Sequence, residues 1–126
     1  MQTNQYYDAL VERFLDGIEK TKNVNYGDKK SVRRNNAGVD HYRKAAKQIA
    51  ELHPTRINDF ALFLDSDDMA IRETCAICMI EMMPCSDDQL SRAYSVIYDQ
   101  YKSADNAKKM MIEIWLERQK NKLNQT

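Results

Sequence analysis

The chain has 126 residues, 43% of them hydrophobic and 30% charged, with zero formal net charge. That length and balance fit one folded domain that needs neither disulfides nor a structural metal. Three Gly and two Pro in the whole chain disfavour a many-turned β fold, and no apolar run approaches the 18 residues of a membrane-spanning helix.

The first predicted helix runs from Asn4 to Thr21, with Tyr7, Leu10, Val11, Phe14, Leu15 and Ile18 at three- and four-residue spacing. Thr3 or Asn4 is its expected cap. The polar start, Met1 to Gln5, lacks the basic and apolar regions of a signal peptide, which implies a cytoplasmic protein. Lys22 to Lys30 is a polar loop containing Gly27, the longest predicted. A second helix extends from Asp28 or Ser31 to Leu52, with Val32, Asn36, Val39, Tyr42, Ala46, Ile49 and Ala50 as its inner stripe. Gly38 in its middle costs about 1 kcal/mol relative to Ala, and implies close approach of a neighbouring helix. His53-Pro54 ends the run, because proline lacks the N–H that a helix needs.

Thr55 is the expected cap of a short helix, Arg56 to Leu64, presenting Ile57, Phe60, Ala61 and Leu64. The turn Asp65-Ser66-Asp67-Asp68 separates it from a fourth helix, Met69 to Met83, which is apolar nearly all round and is therefore expected at the centre. After Pro84 to Asp88, the fifth helix reaches Ser103 and carries Leu90, Ala93, Tyr94, Val96, Ile97 and Tyr101. The sixth starts at Asp105 or Asn106 and carries Ala107, Met110, Met111, Ile114 and Trp115 on one face. The expected core is Phe14, Tyr42, Phe60, Leu64, Ile71, Cys75, Cys78, Met82, Ile97, Ile114 and Trp115.

No catalytic constellation is visible. The glycines are isolated, so there is no phosphate loop, and no Gly-x-Ser-x-Gly elbow occurs. Cys75, Cys78 and Cys85 are too close and odd in number for a disulfide framework, and His41 and His53 lack the paired spacing of zinc ligands. The cysteines read as reduced core residues, and no metal or cofactor is expected. Asp65-x-Asp67 begins like a cation loop and does not continue as one. The chain is expected not to be an enzyme.

Zero net charge hides an asymmetry. Residues 1–54 carry ten Lys/Arg against seven Asp/Glu, a net of +3. Residues 55–100 carry three against nine, a net of −6, and residues 101–126 carry six against three, a net of +3. An acidic middle argues against nucleic acid and for a protein partner. Candidate contacts are Asp59, Asp65, Asp68, Glu73 and Glu81. Asp65 and Asp68 also read as turn and cap residues, and Arg72 is expected to reach an acid in the neighbouring turn. Asn35 and Asn36 have two readings, a buried amide serving the loop at Asn23 to Asp28 or an exposed polar contact. Lys29, Lys30, Arg33, Arg34, Arg43, Lys44 and Lys47 support a competing nucleic-acid reading.

The spacing Leu64-Asp65-x-Asp67-x-x-x-Ile71-Arg72-x-x-Cys75-Ala76 resembles a HEAT repeat, with Cys75 where Ala is usual. Lys30-Ser31-Val32-Arg33-Arg34-Asn35-Asn36 to Tyr42, and Glu113-Ile114-Trp115-Leu116-Glu117-Arg118, extend the likeness over residues 5–118 to a family of small bacterial HEAT-like proteins. Tyr94 and Tyr98 depart from that family, which usually has small or charged residues there. The resemblance implies an all-α fold of six antiparallel helices stacked as HEAT-like hairpins in one domain. It also implies a non-enzymatic role, neutralising a bacterial toxin domain, for instance a nuclease, by stoichiometric binding. A general HEAT-like adaptor is the alternative.

Overall fold

The structure, a computed structural model, describes the backbone of residues 6–124 and the side chains through residue 122. It is helical, with no strand among the described residues. The elements are α1 (Tyr7–Thr21), α2 (Lys29–Leu52), α3 (Ile57–Phe60), α4 (Met69–Met82), α5 (Asp87–Ser103) and α6 (Asn106–Asn124), with 3-10 turns at Pro54–Arg56 and Ala61–Asp65.

Most helix starts have the local chemistry that a free backbone N–H requires. Asp28 Oδ1 accepts from the Lys30 N–H at 3.0 Å at the start of α2. Asp68 Oδ1 accepts from Ala70 and Ile71 at 2.9 and 3.3 Å at the start of α4. Ser86 and Gln89 form a reciprocal capping box on α5, and Asp105 Oδ1 accepts from the Lys108 N–H at 2.8 Å on α6. Helix α1 differs: Tyr6 holds the cap position in extended conformation with no side-chain cap, and Thr3 and Asn4 lie outside the described residues. Thr55 is not a cap either, because Pro54 starts a 3-10 turn that absorbs it, and α3 is a single turn between two 3-10 segments.

α1 packs along α2. Gly17 and Gly38 are both buried at this crossing. A Cβ on Gly38 would lie 2.6 Å from the Gly17 carbonyl oxygen, so the two backbones meet directly. The Phe14 ring stands 4.8 Å from Phe60 and 6.2 Å from Tyr42, centroid to centroid, which joins both helices to the short third one. α4 then packs on the second 3-10 turn and on α5, and also touches α1 and α2. Its buried residues are Cys75, Ala76, Cys78 and Met79.

The expected core residues Phe14, Phe60, Leu64, Cys75, Cys78 and Ile97 are buried. Tyr42, Ile71, Met82 and Trp115 are only partly buried at its border. Ile114 is 49% exposed, and Met110 and Met111 are more exposed still. Of the two α6 residues expected in the core, Trp115 packs on it and Ile114 does not: the covered side is rotated to Ile112, Trp115 and Leu116, with Gln119 buried beside them. Residues 110–116, Met-Met-Ile-Glu-Ile-Trp-Leu, are apolar on both sides of the helix, so periodicity could not choose between them.

Candidate functional site

The acids proposed from the sequence each have a partner within the chain, and Asp59 and Asp65 stay exposed. Asp59 pairs with Arg56 at 2.6 Å, and Asp65 lies 3.7 Å from Arg92. Asp68 holds Lys22 as well as capping α4, and the ammonium of Lys22 keeps the Asp68 carboxyl below its ordinary value. Glu73 pairs with Lys108 at 3.1 Å.

Glu81 is the most constrained of them. Arg43 donates to one carboxylate oxygen at 2.9 Å and the Trp115 indole N–H to the other at 2.8 Å. Burial pushes this carboxyl up, but the hydrogen bonds from Trp115 and Arg43 outweigh that and leave it below its ordinary value. Glu73 and Glu81 are two turns apart on α4, and Lys108 and Trp115 are two turns apart on α6. The two contacts therefore clip α6 to α4 at both ends of one shared face. These glutamates hold the last helix in place and do not form a free acidic patch.

Three other expectations are corrected here. Asn36 is exposed, so it is not an inner-stripe residue, and Asn35 is half-buried. The loop closes on itself: the Asn25 N–H donates to Ser31 Oγ at 2.8 Å, and the Gly27 N–H to Asn25 Oδ1 at 3.0 Å. Neither Asn35 nor Asn36 serves it. Arg72 reaches no acid; its guanidinium donates to the Ser66 carbonyl oxygen at 2.9 and 2.6 Å.

The thiols are poor nucleophiles. Burial raises all three, Cys78 to about 12. Among the described residues, no three His, Cys, Asp or Glu side chains are grouped to hold a metal ion, and no helix is long and apolar enough to cross a membrane.

What the sequence reasoning missed is an apolar surface on α6. Met110, Met111 and Ile114 are 62%, 71% and 49% exposed and fall on one side of the helix at helical spacing. Behind Met111 lies a cleft of about 230 Å³ between α4, α5 and α6, lined mainly by apolar atoms of Ile77, Ile97, Ile112 and Trp115. On α5, Tyr98 is 51% exposed and stacks on Tyr94 at 6.3 Å. Isolated exposed apolar residues are ordinary, whereas these three lie together beside an apolar cleft. The signal was present in the two-sided apolar pattern of residues 110–116, since a helix covered on one side alone exposes the other.

No protein-family model, curated protein or solved structure matches the chain, so its own residues carry the functional reading.

Proposed function

We propose that this chain is a non-enzymatic module that works by stoichiometric contact with another protein, and that its specific form is neutralisation of a bacterial toxin domain. We read its helices as antiparallel HEAT-like hairpins; the packing of α1 on α2 and of α4 on α5 supports that reading. One observation carries the binding reading, the exposed stripe Met110, Met111 and Ile114 on α6. Methionine side chains are flexible and polarizable, which suits a surface that must fit a partner. The internal pairing of Asp59, Asp65, Asp68, Glu73 and Glu81 moves the expected contact away from the acidic middle and onto this stripe.

The test is co-expression with the product of the neighbouring gene, followed by titration calorimetry of the purified pair. One-to-one binding and rescue of growth are expected. Replacing Met110 and Ile114 together by Glu should weaken binding about a hundredfold, in line with loss of a central apolar contact, while the unfolding midpoint stays put. Rescue and affinity unaffected by that double change would overturn the assignment of the surface. Absence of any complex with the neighbouring gene product would overturn the neutralising role. Charge reversal at Glu73 or Glu81 is unsuitable here, because it would release α6 as well.

A further inference from the structure

Some cations of this protein are neutralised and others are not. Lys20, Lys22, Arg43, Arg56, Arg92, Lys102 and Lys108 each pair with a carboxylate. Lys29, Lys30, Arg33, Arg34, Lys44 and Lys47 are all exposed and make no ion pair. Lys29, Arg33, Lys44 and Lys47 share the outer side of α2, opposite the buried Gly38, Ala45, Ala46 and Ile49, and Lys30 and Arg34 lie on its flank in line with Gly38. Asp40 and Glu51 are the exposed acids of that helix, so they offset two of the six charges and leave four along it. From Lys30 to Lys47 the row spans about 26 Å at the rise of an α-helix. A helix that carries six exposed, unpaired cations creates a local attraction for a polyanion.

A second feature sits at one end of this row. Tyr26 is 80% exposed, in the turn just before α2. The turn is ordered by the hydrogen bonds of Asn25 with Ser31 and Gly27, and Asn23 takes the left-handed conformation at φ 59°. The phenol ring is therefore presented to solvent on a fixed backbone next to Lys29 and Lys30. A basic track with an aromatic platform is the combination that binds unpaired bases, since the phosphates follow the charges and a base stacks on the ring. A duplex offers phosphates and no free base, and an acidic peptide has no base to stack.

We propose that the outer face of α2 with Tyr26 is a binding surface for single-stranded nucleic acid. This surface is separate from the α6 stripe, and the proposal does not rest on the protein-binding reading.

The experiment is fluorescence anisotropy of the whole chain with a labelled 15-nucleotide oligouridylate and the corresponding oligothymidylate, at rising salt. Binding at low salt is expected, with affinity falling linearly on logarithmic axes at a slope near −3, about 0.7 for each of four neutralised phosphates. Arg33→Glu with Arg34→Glu should weaken binding more than about tenfold, and Tyr26→Ala about fivefold or more. Arg118→Glu with Lys120→Glu, equal in charge change and placed on α6, should do so far less. All variants should keep the wild-type circular dichroism and unfolding midpoint. No binding at low salt would overturn the proposal, as would equal losses from the α2 and α6 reversals. Preference for a 15-base-pair duplex or for polyglutamate, with Tyr26→Ala silent, would overturn the assignment to a single strand.

Discussion

The indole N–H of Trp115 donates to a carboxylate oxygen of Glu81 at 2.8 Å, and this contact ties α6 to α4. Trp115 is the one tryptophan of the chain, so its fluorescence reports on Glu81 directly. The Glu81 carboxyl lies below its ordinary value of 4.5. A depressed folded value means that its contribution to stability is fully present above the unfolded value and is lost as pH falls through the folded one. Acid titration of the native fluorescence should therefore inflect below pH 4.5. Glu81→Gln should remove the inflection, and an unchanged titration curve in that variant would rule out the contact as its source.

Gly17 and Gly38 define the second prediction. Glycine to alanine inside a helix ordinarily stabilises by about 1 kcal/mol. Here the added methyl would meet backbone atoms at 2.7 and 2.6 Å, which cannot move without separating α1 from α2. Each substitution should instead destabilise by about 1–3 kcal/mol, as overpacking does. The double variant should lose less than the sum, because one separation relieves both clashes. Urea unfolding measures all three.

The rotation of α6 is tested by a pair of substitutions. Ile114→Asp places a charge on an exposed site and should change stability by less than about 0.5 kcal/mol. Leu116→Asp places it against the core and should destabilise by about 3 kcal/mol or more, since an unpaired charge is desolvated there. The reverse order in chemical denaturation would restore the face expected from the sequence.

Thiol accessibility separates the cysteines. Cys75 and Cys78 are fully buried, and Cys85 is half-buried with its Sγ donating to the Met79 carbonyl oxygen at 3.6 Å. In native protein at pH 8, a disulfide reagent should modify Cys85 first and the other two only at the rate of unfolding. Three thiols should titrate in denaturant. Fast native modification of all three would contradict the packing of α4.

The helical class, the approximate helix limits and the apolar stripes of α1 and α4 were legible in the sequence, because spacing, caps and Pro54 act locally. Gly38 was legible for the same reason: a glycine in mid-helix is unfavourable unless something lies against it. Its partner Gly17 was not, since that pairing depends on how two helices cross. The charge count located the acids and cations correctly but could not say which ones neutralise each other. Asp68 meets Lys22 across 46 residues, Arg43 meets Glu81 across 38, and Glu73 meets Lys108 across 35. Such pairings engaged Asp68, Glu73 and Glu81 of the acidic middle and, among the α2 cations, only Arg43. The face of α6 was undecided for a physical reason: residues 110–116 are apolar on both sides, and only contact with Glu73, Glu81 and the core selects the side that is covered.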